Sequence, residues 1–246
     1  MTTGTPEFGL ITGSGLHEFG SGDEVSGQGT PYGPTSAPCR RITVNGQAVL
    51  VLPRHGASHE IPPHRINYRA NAWLLKSLGV KAVVSMNTVG FIPDAMLAGE
   101  LAVPVQLIDY TWGREHTFFD GGESGVEHID LTDPFNPGLR QRLVAAAATA
   151  GVVCHDGGVY GATQGPRLET AAEVDRLERD GVDLIGMTAM PEVVLLRELG
   201  IDTACLSLLV NPAAGRGDGE IHADIEASIA TARAAAIRVL EAFFRG

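Results

Sequence analysis

The chain has 246 residues, of which 44% are hydrophobic and 19% are charged, and its 18 basic and 29 acidic residues give a net charge of −11. A chain of this length buries about 70–75% of its unfolded surface, which favours one domain over residues 1–246. The acidic balance, with basic residues scattered singly, excludes nucleic acid and anionic membrane surfaces as expected partners.

No apolar run reaches the ~18–20 residues of a membrane-spanning helix, and the first residues lack the basic and apolar segments of a secretion signal. These features predict a cytoplasmic protein. The three cysteines, Cys39, Cys154 and Cys205, lack the spacing of metal ligands, and we expect them to be structural.

Short apolar runs alternate with longer segments of helical periodicity. The predicted strands are Phe8–Thr12, Cys39–Val44, Gln47–Leu52, Lys81–Met86, Leu101–Gln106, Val152–Tyr160, Asp183–Gly186 and Asp202–Val210. The predicted helices are His64–Leu78, Pro137–Ala150, Thr170–Arg179, Ala189–Leu199 and Ala223–Phe244. This alternation predicts an α/β fold, with a largely parallel central sheet flanked by helices and ligands at the carboxyl ends of its strands. The loop Trp112–Asp130 lacks periodicity, and loops of that length are usually functional or interfacial.

Segments that follow the first predicted strands carry groups suited to an anion. Ser14 lies between two glycines after Phe8–Thr12, where backbone N–H groups and one hydroxyl can converge. Arg54 and His55 follow Gln47–Leu52, and an arginine offers a planar fork that matches phosphate oxygens. Each of these segments, taken alone, is also typical of an ordinary turn.

Two later segments have the same character. Asn87 and Thr88 follow the strand Lys81–Met86, and Thr188 stands between the strand Asp183–Gly186 and the next helix. The position of Thr188 predicts a helix N-cap, at which free N–H groups and the helix dipole favour an anion. Because four separate strand ends offer donors, we expect them to converge on one oxyanion.

The motifs together resemble the trimeric purine nucleoside phosphorylase and methylthioadenosine phosphorylase family. The matching segments are Gly13–Leu16, Arg54–Gly56, Asn67–Trp73, Asn87–Gly90, Gly165–Thr170 and Gly186–Glu192, and they occur in family order over nearly the whole chain. The resemblance implies the nucleoside phosphorylase fold and a homotrimer, in which His128 reaches a neighbouring subunit's ligand.

The family's reaction is reversible phosphorolysis, in which phosphate displaces a purine at C1′ of the sugar. Carried over by position, phosphate is expected to contact Ser14, Arg54, His55, Thr88 and Thr188, with Asn87 as a further donor, and Met187 is expected to lie along the ribose. Positioning and electrostatic stabilisation are sufficient for such a reaction. We therefore expect no metal and no cofactor, inorganic phosphate being a co-substrate.

Two residues indicate which base is bound. Adenine-specific members resemble one another in carrying aspartates on the loop after the late strand, where this chain has Asn211 and Ala213. An amide can donate to O6 and accept from N7–H, which an aspartate cannot do. Glu169 matches the carboxylate that accepts from N1–H in 6-oxopurine enzymes. We expect Asn211 and Glu169 to bind hypoxanthine or guanine and to act as the catalytic residues. Alternatively, Asn211 is a turn residue before Pro212, and Glu169 is an acid of the first helical turn.

The sugar end is indicated by four further segments, Asp109–Phe119, Glu127–Asp130, Thr163–Thr170 and Val210–Gly215. These segments resemble bacterial S-methyl-5′-thioinosine phosphorylases, and the resemblance favours a 5′-methylthio nucleoside. His222 directed inward favours a 5′-hydroxyl, whereas Ile225 directed inward favours a methylthio group. Leu168 replaces the aromatic residue that stacks on the base in many relatives, and Phe91 is expected to fill the core.

The leading hypothesis is therefore phosphorolysis of S-methyl-5′-thioinosine to hypoxanthine and 5-methylthioribose 1-phosphate. A general inosine and guanosine phosphorylase and a methylthioadenosine phosphorylase are alternatives. A nucleosidase that uses water and a non-enzymatic nucleoside-binding protein on the same fold stay open as other classes. His59, His64 and His116 are expected to be solvated or structural.

Overall fold

The structure, a computed structural model, describes residues 7–13, 22–25, 29–217 and 225–245. Its strands, β1 to β11 in chain order, are Phe8–Thr12, Asp23–Val25, Cys39–Val44, Gln47–Pro53, Ala82–Phe91, Leu101–Val103, Gln106–Asp109, Cys154–Asp156, Val159–Ala162, Leu184–Gly186 and Asp202–Pro212. Its α-helices, α1 to α5, are Tyr68–Ser77, Pro137–Thr149, Ala171–Arg179, Ala189–Glu198 and Ile225–Phe243. Short 3-10 helices lie at Pro63–Arg65 and Gly122–Ser124.

The strands form one mixed, largely parallel sheet. β5 is its central strand and pairs in parallel with β1 and β11, and antiparallel with β10. β1 continues in parallel to β4, whereas β2, β3 and β4 form an antiparallel edge. Since β10 runs against β5, its carboxyl end comes alongside the second half of β5 rather than at its end. The predicted α/β fold class is confirmed.

Helices cover both faces of the sheet. Successive residues of a strand point to opposite faces, so apolar side chains on each face need a helix to pack against. Leu10 packs with Leu143 of α2 and Val239 of α5, whereas the next residue, Ile11, packs with Leu75 of α1 and Leu196 of α4. All six side chains are at most 1% exposed. Replacing one such leucine by alanine typically costs about 2–5 kcal/mol.

Two predicted strands are each divided in the structure. Leu101–Gln106 divides at Pro104, giving β6 and β7, and Val152–Tyr160 divides at Gly157 and Gly158, giving β8 and β9. A proline lacks the N–H that a ladder needs, and the two glycines have φ values of 124° and 89°. The first halves of the two divided strands, β6 and β8, pair with each other, and so do the second halves, β7 and β9.

Other boundaries also differ from the sequence prediction. The predicted helix His64–Leu78 begins later, at Tyr68, because the Asn67 side chain accepts from the Ala70 N–H and caps α1 there. The short strand β2 was not predicted. The predicted start of the last helix, Ala223, lies outside the described residues, as do Ser14 and His222. Within the described ranges, no helix has both the length and the apolarity to cross a membrane.

Candidate active site

A cavity of about 670 Å³ opens where β4, β10 and β11 end, beside the second half of β5. This volume is typical of small-molecule sites. Ten of the predicted site residues line it. We call Arg54, His55, Asn87, Thr88 and Thr188 the inner wall, and Leu168, Glu169, Met187, Asn211 and Ile225 the outer wall. Three of the four segments that were expected to converge, those with Arg54, Asn87 and Thr188, thus lie at one cavity, and Ser14 lies outside the described residues.

Arg54 is placed by the end of β4 and is completely buried. Its Nε and Nη2 each donate to one oxygen of Glu192, both at 2.8 Å, and Nη2 also donates to the Ser85 hydroxyl at 2.9 Å. Nη1 donates to the Met86 carbonyl at 2.5 Å. Burial opposes the charge of Arg54, but the Glu192 carboxylate outweighs it and raises the pKa of the guanidinium above its ordinary value. Arg54 is therefore a fixed, buried cation.

This geometry differs from the expectation that the Arg54 fork binds an oxyanion. The fork holds Glu192, which the sequence presented only as an acid in the first turn of α4. A Cβ added to Gly13 would lie 2.7 Å from Nη1 of Arg54, so a glycine at position 13 lets the end of β1 approach the cation. Because Glu192 takes the fork, what Arg54 offers an anion is its charge.

His55 is 8% exposed and its orientation is fixed by the neighbouring loop. Its Nδ1 lies 2.8 Å from the carbonyl oxygen of Ile61, and because a carbonyl only accepts, Nδ1 carries the proton and donates. Burial and the adjacent Arg54 lower the pKa of His55 to about 4. The ring is therefore neutral at pH 7, with its Nε2 unprotonated.

Asn87 and Thr88 do not follow a strand, as the sequence suggested. They lie inside β5, which continues to Phe91 because β11 pairs with it along its whole length. The Asn87 oxygen accepts from the Ser207 hydroxyl at 3.0 Å, and its Nδ2 points to the Cys205 sulfur at 3.6 Å. The Asn87 amide is thus bound to β11.

Thr188 occupies the N-cap position of α4, as predicted, but its hydroxyl makes no capping bond. The first turn is irregular, since Met190 has φ −111° and ψ 132°, and regular helical geometry follows only after it. Thr188 is 4% exposed and lines the cavity. Its hydroxyl is therefore not consumed by the helix end that it precedes.

Glu169 lies in the loop before α3, and the Thr163 hydroxyl donates to its Oε1 at 2.7 Å. Thr170 is the N-cap of α3 and forms a capping box with Glu173, the acid of the first turn. Glu169 thus precedes the helix and lines the cavity, which removes the alternative that it is a first-turn acid. Beside it, Leu168 is 39% exposed.

Asn211 lies in β11 at a bulge, where the pairing with β5 shifts between Leu209 and Asn211. It is a strand residue, so the alternative that it is a turn residue is wrong. One N–H of its amide donates to the Pro212 carbonyl at 2.7 Å. Across the pair, a Cβ on Gly90 would lie 3.5 Å from this amide. A bulge re-aims a strand side chain, and here it brings Asn211 to the cavity.

Met187 and Ile225 complete the outer wall. Gly165 has φ 62°, a backbone conformation that favours glycine, and a Cβ there would lie 2.5 Å from the Met187 sulfur, so the loop before α3 rests closely on Met187. Ile225 begins α5 and lines the cavity with Ile229. His128, by contrast, is exposed in the Trp112–Asp130 loop and is not part of the cavity lining.

Arg114 was not singled out in the sequence, although it lies in the long loop expected to be functional. Its Nη1 donates to the carbonyls of Met187 and Met190 at 2.8 and 2.6 Å, and its Nη2 donates to the Gln164 carbonyl at 2.7 Å. Charge-assisted bonds of this kind are among the stronger hydrogen bonds. Arg114 therefore ties the segment with Met187 and Thr188 to the loop that carries Glu169.

Glu60 was missed as a residue of the cavity lining. His59 is exposed, as the expectation of a solvated histidine requires, and it also lines the cavity, where its ring centroid lies 4.5 Å from that of His55. The Glu60 carboxylate accepts from the Ser58 N–H at 2.8 Å. Their proximity to His55 in the sequence was the available signal.

The family model described as Phosphorylase superfamily matches residues 7–245. The chain belongs to this superfamily. It is 51% identical over 201 residues, 81% of the chain and 82% of the relative, to a probable S-methyl-5′-thioinosine phosphorylase of Pseudomonas syringae. It is 42% identical over 208 residues, 84% of the chain and 79% of the relative, to a probable 6-oxopurine nucleoside phosphorylase of Moorella thermoacetica.

Among solved structures of the superfamily, the methylthioadenosine phosphorylase from Schistosoma mansoni in complex with adenine matches with a TM-score of 0.88 at 30% identity, over 97% of this chain and 91% of that one. The predicted family and the enzyme class, a nucleoside phosphorylase that acts on a nucleoside and phosphate, are confirmed. Among the residues the structure describes, no group of three His, Cys, Asp or Glu side chains could hold a metal ion.

Proposed function

We propose that the protein catalyses phosphorolysis of S-methyl-5′-thioinosine, which gives hypoxanthine and 5-methylthioribose 1-phosphate. The observation that carries this proposal is that Glu169 and Asn211 line the same cavity as Arg54, His55 and Thr188. One cavity thus offers a site for an oxyanion and a pair of groups complementary to a 6-oxopurine. The relatives' names support the same reaction class.

The inner wall holds phosphate. Arg54 supplies a buried positive charge, and the Thr88 and Thr188 hydroxyls, with the Ser14 segment, donate to phosphate oxygens. A phosphate oxygen forms the bond to C1′ as the bond from C1′ to N9 breaks, and positive charge on the sugar develops beside the anion. Holding the anion in place before the reaction is the main catalytic contribution of these residues.

The outer wall binds the base and the sugar. Glu169 accepts from N1–H, while Asn211 donates to O6 and accepts from N7–H of the leaving base, which takes up this proton from water as the bond from C1′ to N9 breaks. Adenine has no proton at N1, so Glu169 would face a lone pair, and a mismatch of this kind is worth up to about 10⁴-fold. Met187 lies along the ribose, and Leu168 replaces an aromatic contact with a smaller apolar one.

The 5′ position is read by the start of α5. Ile225 and Ile229 both line the cavity, which supports an apolar 5′-methylthio group. Such a contact discriminates by only ~1–3 kcal/mol, so inosine is the natural competitor. We further propose a cytoplasmic homotrimer without metal or cofactor, in which the exposed His128 reaches the ligand of a neighbouring subunit.

The test is release of the free base from S-methyl-5′-thioinosine, inosine and methylthioadenosine, each with and without inorganic phosphate. We expect phosphate-dependent release of hypoxanthine, with the highest kcat/KM for S-methyl-5′-thioinosine. A preference for methylthioadenosine would contradict the roles of Glu169 and Asn211. Release that is undiminished without phosphate would identify a nucleosidase, and tight nucleoside binding without turnover would identify a binding protein.

A further inference from the structure

The hydrogen bond between His55 and Ile61 determines which ring nitrogen carries the proton and which carries a lone pair. Nδ1 lies 2.8 Å from the Ile61 carbonyl oxygen, which cannot donate, so the proton must be on Nδ1. In a neutral ring Nε2 is then an acceptor. A phosphate site is normally pictured as a set of donors, and His55 is an exception among the residues of the inner wall.

The surroundings of His55 keep its ring neutral. Arg54 is the adjacent buried cation, and Glu192 is bound to Arg54 rather than to His55. His59, whose ring lies 4.5 Å away, further lowers the pKa of His55. The other carboxylates of the cavity lining have hydrogen-bond donors of their own, Glu60 from Ser58 and Glu169 from Thr163. A neutral His55 thus stands beside a permanent positive charge.

We propose that His55 accepts a hydrogen bond from the hydroxyl group of monohydrogen phosphate, so that the site selects an oxyanion that carries a proton over one that carries none. This inference rests on the proposed function, because it assigns phosphate to the inner wall. The proton stays on the oxygen that His55 holds, while an unprotonated oxygen attacks C1′.

The selectivity follows from the chemistry of the oxyanions. Phosphate and arsenate keep one proton as dianions at pH 8, whereas sulfate has the same shape and charge but no proton. A sulfate oxygen at this position faces the Nε2 lone pair, and the hydrogen bond is lost. The loss of such a buried hydrogen bond lowers affinity about 10- to 100-fold.

The test measures binding of inorganic phosphate, arsenate and sulfate to the whole protein at pH 8 by calorimetry. We expect similar affinities for phosphate and arsenate and an affinity for sulfate that is at least about 10-fold weaker. In the phosphate complex, the ¹⁵N shifts of His55 should be those of a neutral ring protonated at Nδ1. Equal affinities for phosphate and sulfate, or the shifts of an imidazolium, would overturn the inference.

Two substitutions separate the acceptor of His55 from the donor that holds its ring. His55→Asn keeps a donor for Ile61 and removes the contact with the anion, and it should reduce the phosphate preference to within about 3-fold. His55→Gln places an amide near the Nε2 position, and because its oxygen can still accept from the phosphate hydroxyl, this variant should keep more of the preference than His55→Asn does. His116→Gln, at an exposed histidine outside the cavity lining, is the matched control and should leave the preference unchanged. Full retention of the preference in His55→Asn would contradict the inference.

The outcomes also distinguish this inference from the proposed function. Phosphate-dependent base release together with equal affinities for phosphate and sulfate would contradict only the proposed role of His55. Absence of both phosphate binding and phosphate-dependent release overturns the two together.

Discussion

Arg54 on the inner wall is completely buried, whereas Leu168 on the outer wall is 39% exposed, and the contrast extends to their neighbours. His55, Asn87 and Thr188 are also less than 9% exposed and Thr88 is half-buried, whereas no side chain of the outer wall is buried. The inner wall lies at the ends of β4 and β10 and inside β5, and the Arg54 and Asn87 side chains are hydrogen-bonded to buried groups of the core. The outer wall is built on a loop, a bulge and a helix start, and it can change without disturbing the core.

This difference divides the two functions of the cavity. Groups that hold an oxyanion gain from burial, because low dielectric strengthens their charge and excludes water. Groups that select a base or a sugar substituent need only match its hydrogen-bonding pattern and shape, and moderate exposure to solvent does not remove that match. We therefore expect inner-wall substitutions to reduce stability and activity together, and outer-wall substitutions to shift selectivity at nearly constant stability.

The largest expected effect is that of Glu192→Ala, which leaves Arg54 buried without its carboxylate. Removing one partner of a buried ion pair typically costs about 3–5 kcal/mol. Urea denaturation should show a loss of that order in the free energy of unfolding, whereas Glu169→Ala, at a half-buried carboxylate, should change it by less than about 1 kcal/mol. Similar losses in the two variants would remove the distinction between the walls.

The second effect is a pH dependence that arises from His55. Its pKa is about 4 in the folded protein against an ordinary value of 6.5, so unfolding takes up a proton between these values. The contribution of His55 to stability is full above pH 6.5 and is lost as the pH falls towards 4, by roughly 3 kcal/mol at most. Chemical denaturation of wild type and His55→Asn across this range should give a smaller decline for the variant, and parallel curves would show that His55 is not the group responsible.

Arg114→Ala tests the connection between the walls. The substitution frees three backbone carbonyls that now accept from one guanidinium, so the Glu169 loop is no longer fixed against Met187. We expect kcat to fall about 10- to 100-fold, since misplacement of reacting groups costs that much, with a smaller change in KM for phosphate. Arg114→Lys, which can reach only part of these acceptors, should restore little. A rise in that KM at constant kcat would place Arg114 in phosphate binding instead.

Asn211→Asp tests selectivity at the outer wall. A carboxylate cannot donate to O6 but can accept from a 6-amino group, so the ratio of kcat/KM for S-methyl-5′-thioinosine to that for methylthioadenosine should fall about 10- to 100-fold. The free energy of unfolding should stay within about 1 kcal/mol of wild type because Asn211 is only half-buried. Asn211→Ser, which keeps a donor, should lower the ratio less. An unchanged ratio in Asn211→Asp would refute the assigned role.

The smallest expected effect is that of Thr170→Ala at the start of α3. The Thr170 hydroxyl accepts from the Glu173 N–H at 3.2 Å, and loss of such a cap costs about 1 kcal/mol. Thermal unfolding should show this loss, and Thr170→Ser, which retains the hydroxyl, should show little. A change in base preference in Thr170→Ala would mean that the cap also positions the neighbouring Glu169.

Local patterns in the sequence predicted most elements of this fold, and the errors have identifiable causes. Pro104 and the Gly157–Gly158 pair were visible punctuation at the two divided strands, but only the pairing of β7 with β9 shows where the second parts lie. The extension of β5 beyond Met86 had no local signal, because it depends on β11 pairing with it up to Phe91. Strand length here is a property of the sheet rather than of the segment.

The sequence by itself determined the fold class, the family and ten of the residues that line the cavity, because periodicity and short motifs are local and do not depend on a tertiary contact. Tertiary structure alone decided how those residues are used. Glu192 reaches Arg54 across 138 positions of sequence, and it takes the fork that the sequence had offered to an anion. The Ile61 carbonyl likewise decides which nitrogen of His55 carries the proton. Both outcomes depend on burial and on distances between atoms, which the order of residues does not contain.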